Sequence, residues 1–306
     1  MRRIGLVLEY VGTEYQGFQV QAGEAGAATD EAIGGPGPET ARAAQSSGAG
    51  RAMGIGRTGR TVQGTVEAAI ARITGEQCRI TGAGRTDAGV HALGQVASFD
   101  TCSRIPGDRF APALNTALPP DVRVLRSFQA PDGFNARYDA IAKVYRYIIV
   151  PSHTRQLGPG AQPGSAALAG RALFVRRPLD MQAMAQASGC LVGQHDFRAF
   201  ASTGSSAKTS VRTIRRLEVG PIRFEILGLD AVAVEIEADG FLYKMVRTIV
   251  GALLGVGTGR ADVGSVETLL ASGDRSKGPA TAPPDGLYLV RVIYPEPVAR
   301  LVSGAM

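Results

Sequence analysis

Apolar residues alternate in residues 3–10 (RIGLVLEY), where Ile4, Leu6, Leu8 and Tyr10 share one face, the two-residue period of a half-buried strand. At Thr61 the period lengthens. Val62, Val66, Ile70 and Ile73 fall on one side of a helix for which Thr61 is a suitable N-cap. A short strand at 77–81, a second strand reading HALGQVASF, a helix carrying Phe110, Leu114, Ala117 and Leu118 that stops at Pro119-Pro120, and a strand through Val122, Val124 and Phe128 follow. The first half therefore reads β-α-β-β-α-β. The second half opens with KVYRYIIV (143–150), continues through a helix at 180–192 and strands near 211–219, 223–227 and 232–238, and closes with helices at 241–256 and 262–271 and a strand at 287–294. This order predicts an α+β fold of two RRM-like or ferredoxin-like halves, each an antiparallel sheet with helices on one face. The boundary falls near residue 141, giving domains 1–141 and 142–306. Between the first strand and the first helix, residues 22–59 are a tract of Gly, Ala, Thr, Ser and Pro with too few large apolar groups to offset the entropy of ordering, so it reads as a surface insertion.

Composition narrows the chemistry. A chain of 306 residues can bury two cores without disulfide or metal staples. Cys78, Cys102 and Cys190 stand singly, with no CxxC and no His at ligand spacing, which argues against a disulfide framework or zinc site and for a reducing cytoplasm. MRRIGLVLEY lacks the apolar core and cleavage site of a signal peptide, and the longest apolar stretch, Met245 to Val256, is broken by Arg247 and too short to span a bilayer. No membrane association is expected. The net charge of +6 favours a polyanionic partner. Its positive residues concentrate between Arg137 and Arg177, which hold seven Lys or Arg against the single acid Asp139, and in KTSVRTIRR from Lys208 to Arg216. On their own these runs read equally as a solvated basic face.

The run GAGRTDAGVHA (82–92) opens like a phosphate-binding loop but places Asp87 where a dinucleotide fingerprint needs its third glycine. A carboxylate there repels a pyrophosphate, and the residues that follow read as a strand, so no helix N-terminus awaits the phosphate. GIGRTG (54–59) matches the same fingerprint by letters alone, with neither strand before it nor βαβ unit around it. The alternative takes Gly82, Gly84 and Gly89 as positive-φ residues of a sharp turn that projects Arg85, Thr86 and Asp87 from between two strands. A turn aspartate is by base rate a backbone-bonding residue, and the loop alone does not make it a catalyst.

GRTDAGVHALGQVASF resembles the signature of the TruA family of tRNA pseudouridine synthases, and further similar runs follow in that family's order: YVGTEYQGFQVQ, TVQGTVEAAI, FNARYDAIAKVYRYII, GQHDFRAF, DGFLYKMVRTIVGALLGVGTGR and PPDGLYLVRVIYP. The resemblance implies that Asp87 is the catalytic nucleophile and that Arg85 helps displace the target base. It assigns Tyr145 to the aromatic residue against the uracil, Arg247 to the partner of the catalytic aspartate, and Leu287 to an apolar wall of the base pocket. Residue by residue, the plain structural alternatives are strand core for Tyr145 and Leu287 and a helix-surface charge for Arg247. The chain departs from the family at Phe18, where tryptophan is frequent, and at Val20, where a basic residue is frequent.

That chemistry suits these residue types. Isomerising uridine to pseudouridine breaks the N1–C1′ bond, turns the uracil and rejoins it through C5, with no net redox change and no cofactor. One carboxylate attacking C1′ or C6, or assisting a glycal-like intermediate, suffices, and an arginine beside it favours its charged form. The C5 proton would pass to Tyr145 or to water. The resemblance further implies a flipped-out base in the tRNA anticodon stem-loop at positions 38, 39 and 40, basic runs on the phosphates, and a homodimer. From a different class, a non-catalytic protein of paired RRM-like domains would also be basic, but no RNP-type aromatic run such as GFGFVxF is present.

Overall fold

In a computed structural model, residues 1–20, 59–151, 164–204 and 207–304 are described. The low-complexity tract, apart from Gly59, and GIGRTG up to the same residue lie outside them. The first strand, β1 (Arg2–Tyr10), buries Ile4, Leu6, Leu8 and Tyr10 as its alternation predicts. Helix α1 (Val62–Thr74) starts where Thr61 Oγ1 accepts the Gly64 N–H, and ends at Gly75, whose φ of +75° closes the last turn in the left-handed region. Strands β2 (Thr81–Gly82) and β3 (His91–Thr101), helix α2 (Phe110–Asn115) and strand β4 (Val122–Gln129) complete the first half in the predicted order. Its expected strand at 77–81 is reduced to the two residues of β2.

The second half contains β5 (Ala142–Pro151), β6 (Leu173–Val175), α3 (Met181–Ser188), β7 (Gly193–Asp196), β8 (Val211–Phe224), β9 (Leu229–Ala238), α4 (Met245–Gly257), α5 (Ser265–Ser272), β10 (Leu287–Ile293) and α6 (Val298–Ser303). Three strands expected between 211 and 238 are two, because β8 runs unbroken through Gly220 and Pro221 and the chain turns at Gly228, φ +59°. Short β6, β7 and α6 were not foreseen.

All ten strands form one mixed sheet in the order β4-β1-β3-β10-β5-β9-β8-β7, with β2 added on β3 and β6 on β5. It is antiparallel except at β3–β10 and β5–β6. The α+β class holds, and the two expected sheets are joined edge to edge. The last strand of the chain makes the join: β10 pairs antiparallel with β5 (Leu289 opposite Tyr145) and parallel with β3 through Tyr288 and Leu289 against His91 and Ala92. Tyr145, Tyr147 and Ile149 of β5 and Ile236 and Val234 of β9 pack into the same apolar core as α3, α4 and α5. The alternate residues turn away and carry an ion-paired surface, with Glu235 holding both Arg146 and Arg216. Helix α4, nine of whose thirteen residues are buried, is a core helix rather than an amphipathic one. Among the described residues no helix is long and apolar enough to cross a membrane.

Candidate active site

Asp87 stands in the loop joining β2 to β3. The loop closes through Ala83 N–H to Val96 O (2.7 Å) and Val90 N–H to Asp87 O (3.1 Å). Of the three glycines for which a positive φ was expected, only Gly89 has one, at +83°. Gly82 serves packing instead: a Cβ there would lie 2.3 Å from the Phe18 ring. Thr86, expected to project with its neighbours, points inward. It is 6% exposed, and its Oγ1 lies 2.8 Å from the buried Tyr10 hydroxyl. From β3, Gln95 donates Nε2–H to Gly84 O at 2.8 Å, while its buried Oε1 has no hydrogen-bond partner among the described residues. Phe18 N–H donates to Thr86 O at 3.1 Å, and the chain fits there because Gly17, φ +110°, has no Cβ to meet that oxygen. The loop is thus fastened from below by β1, β3 and the segment after β1. Arg85 is exposed and makes no hydrogen bond or ion pair with a described residue.

Arg247 reaches the loop from a residue 160 positions later. Its Nη1–H donates to Asp87 Oδ2 at 2.8 Å in an ion pair whose side chains are 13% and 23% exposed. It lies in the first turn of α4. That helix starts at Met245 rather than at 241, because Lys244 adopts φ +59°, the one positive value at a non-glycine among the described residues. Such a conformation costs roughly 1–2 kcal/mol and is characteristic of functional sites. Arg247 is held twice by a segment before β10: its Nε–H donates to Ala282 O at 2.7 Å, and its own carbonyl accepts the Ala282 N–H at 3.1 Å. Tyr147 fixes that segment by donating its hydroxyl to Pro283 O at 2.8 Å.

Tyr145 lies on β5 between Leu289 and Ile236, 7% exposed, with its ring edge-on to Phe241 at 5.0 Å. Burial, with smaller contributions from Tyr10 and Asp87, pushes its phenol far above the usual tyrosine range, so it is neutral at physiological pH. Its hydroxyl makes no hydrogen bond with a described residue. Leu287, 5% exposed, is opposite Tyr147 and two residues from Leu289, so it belongs to the face that carries Tyr145. The structure thus joins Asp87 directly to Arg247, sets Tyr145 close enough to feel that carboxylate, leaves Arg85 exposed on the same loop and buries Leu287 on the face that carries Tyr145. Tyr10, Gln95, Tyr147 and Ala282 support the site without having been assigned a role in it; the quoted runs contain the first three and stop one residue short of Ala282, and nothing in their local pattern distinguishes them from core or turn residues. Among the described residues no cluster of His, Cys, Asp and Glu could hold a metal ion.

A family model described as tRNA pseudouridine synthase matches residues 52–139 and 187–295. The chain belongs to the tRNA pseudouridine synthase family. The matched residues include Asp87 and Arg247, the two partners of the ion pair, and Leu287. Similar proteins named tRNA pseudouridine synthase A include that of Syntrophomonas wolfei, 40% identical over 97% of this chain and 99% of its own length. That of Acetivibrio thermocellus is 41% identical over 96% of this chain and all of its own, and that of Ruminiclostridium cellulolyticum 37% over the same shares. The family is one of isomerases, and the matched residues of this chain carry the ion-paired carboxylate of Asp87 with Arg247.

Proposed function

We propose that this chain converts uridine to pseudouridine in tRNA with Asp87 as the nucleophile. The observation that carries the reading is the Asp87–Arg247 ion pair, which orients a carboxylate on a loop braced from below. Family membership supports tRNA as the substrate. The N1–C1′ bond breaks with its electron pair going to the uracil; the ring turns, C5 bonds to C1′, the C5 proton is lost and N1 gains one. Attack at C1′ or C6 and assistance to a glycal each require an ionised, oriented carboxylate, and Arg247 orients it. A phenol held neutral by burial is a poor proton acceptor, which favours water for the C5 proton and leaves Tyr145 to lie against the base.

The finer assignments follow the resemblance. The target is the anticodon stem-loop at positions 38, 39 and 40. Extruding a stacked base costs a few kcal/mol, which Arg85 offsets by entering the vacated space while Leu287 walls the pocket. The protein acts in the cytoplasm as a homodimer, with domain 1–141 supplying the Asp87 loop and domain 142–306 supplying Arg247, Tyr145 and Leu287. Asp87→Asn tests the assignment, being nearly isosteric. Pseudouridine formation on an unmodified tRNA transcript should disappear while binding of the transcript stays within about threefold of the parent. Product formation at the parental rate would exclude Asp87 as nucleophile.

A further inference from the structure

Lys143 is a partly buried cation that the reaction outlined above does not use. It stands two residues before Tyr145 on β5, hence on the same face of the sheet, roughly 7 Å along the strand. Its chain runs beside the catalytic loop: a Cβ placed on Gly84 would lie 3.4 Å from Lys143 Cε and 4.0 Å from Nζ. The charged groups that act on it are Arg137, Arg212 and Asp239. Asp239 does not form an ion pair with it, and its Oδ1 accepts the Thr213 N–H at 3.0 Å instead. The Lys143 ammonium makes no hydrogen bond and no ion pair with any described residue. Arg212 lies against Gly240, its Nε 3.3 Å from where a Cβ would be, beside the segment that leads into α4.

An ammonium taken partly out of water, next to two further cations and with only the unpaired Asp239 as counter-charge, is destabilising for the free protein. Burial accordingly holds its pKa below the usual lysine value. The three cations outnumber the one acid that acts on Lys143, and the substrate class supplies an anion at every nucleotide.

We propose that Lys143 binds a backbone phosphate of the RNA next to the flipped uridine, with Arg137 and Arg212 as flanking cations. The proposal deepens the reading of Asp87 as the centre of an RNA-modifying site and rests on it. A base lying against Tyr145 puts its own nucleotide's phosphates within reach of a cation two residues down the same strand. Lys143 then fixes the sugar whose C1′ faces Asp87, and the unpaired charge is satisfied only in the complex.

The test uses the full chain, Lys143→Met and Lys143→Arg, with an unmodified tRNA transcript. Binding is measured across a salt series, and pseudouridine formation in single turnovers at saturating enzyme. Lys143→Met should weaken binding about tenfold at low salt. It should flatten the slope of log K against log salt by about 0.7–0.9, the loss of one phosphate contact. Lys143→Arg should restore both affinity and slope. An unchanged slope in Lys143→Met, or a Lys143→Arg variant as weak as Lys143→Met, would overturn the proposal. An independent arm leaves the protein unaltered: in a stem-loop RNA the phosphate on either side of the target uridine is replaced in turn by a methylphosphonate. One replacement should weaken the parent and add nothing to the defect of Lys143→Met; if neither weakens the parent, no phosphate is bound there. A parental protein that binds the transcript yet forms no pseudouridine refutes the catalytic reading, and the salt slopes still decide the role of Lys143.

Discussion

Removing the Tyr10 hydroxyl tests whether the catalytic loop is positioned from below. The Tyr10–Thr86 hydrogen bond is 2.8 Å long, and the two residues are 2% and 6% exposed, so water cannot replace either partner. Tyr10→Phe leaves a buried threonine hydroxyl unsatisfied, at a cost of about 1–3 kcal/mol. Thr86→Val removes one partner of the phenol and leaves Gln95 beside it, so it should cost less than Tyr10→Phe, and the double variant should cost less than the sum of the two, a coupling of about 1–2 kcal/mol. The effect on rate is separable from the effect on stability. Thr86 adjoins Asp87, and after the hydroxyl bond is lost its remaining tie to the first strand region is the Phe18 N–H to Thr86 O bond at 3.1 Å. A displacement of about 1 Å at a reacting group costs on the order of 100-fold, so Tyr10→Phe should lower the single-turnover rate at saturating tRNA by about 10–100-fold with tRNA affinity unchanged. Thr86→Ser, which keeps the hydroxyl, should recover most of the rate. Denaturant unfolding gives the stability cycle and rapid-mixing pseudouridine assays the rate. Full parental rates in both single variants, at temperatures where both are folded, would show that the bond is packing alone and that Asp87 is placed by other means.

Gly12 should resist substitution as strongly as a catalytic residue, since a Cβ there would lie 1.9 Å from Val90 O and would push the end of the loop away; Gly12→Ala is expected to lose activity at least tenfold, and a fully active variant would refute the packing argument. His91 links the two ends of the chain, accepting the Gly12 N–H at Nδ1 (3.1 Å), meeting Asp285 O through Nε2 (3.1 Å) and stacking on Tyr288. Burial lowers its pKa below the ordinary 6.5, so the neutral ring stabilises the fold fully above that value and the contribution is lost as pH falls through the lower folded one. Urea midpoints measured down a pH series should therefore decline below about pH 6.5 more steeply in the parent than in His91→Gln, and parallel declines would exclude His91 as the cause.

How much of this was legible depends on whether the cause is local. Strand β1 and helix α1 could be read because their periods, the Thr61 cap and the closing Gly75 are all short-range signals. The break expected near Gly220-Pro221 was a reasonable local inference that tertiary context overrides. Strand β7 pairs with β8 only over residues 211–214, so beyond that point one edge of β8 has no strand beside it, and a proline without an N–H is tolerated there. The late start of α4 was illegible for the opposite reason, since lysine is not a residue that announces a positive φ. Asp87 was conspicuous because it spoils a phosphate-loop pattern, but its inward neighbour Thr86 and the supports Tyr10 and Gln95 look like ordinary strand and turn residues. The pairing of Asp87 with Arg247 across 160 residues follows from no spacing rule and was carried by resemblance alone.

The strand order sets how the residues proposed for the reaction are spaced. Strand β10 lies between β3 and β5, so the strand that leaves the Asp87 loop and the strand that bears Tyr145 are two places apart, about 10 Å across the sheet, instead of being hydrogen-bonded neighbours. That interval is wide enough for an aromatic base between a carboxylate and a tyrosine ring, whereas adjacent strands would bring the side chains into contact. The β3–β10 ladder extends over just two residue pairs, while β1 and β3 are in register over most of their length, so few ladder bonds join the two halves of the sheet. Arg247 adds a second tie between the halves, its ion pair with Asp87, and Ala282 holds the arginine in turn, accepting from its Nε–H and donating its own N–H to the Arg247 carbonyl. A site assembled in this way is complete only when the last strand of the chain is in place, because β10 and the segment before it supply both the spacing and the clamp on the arginine.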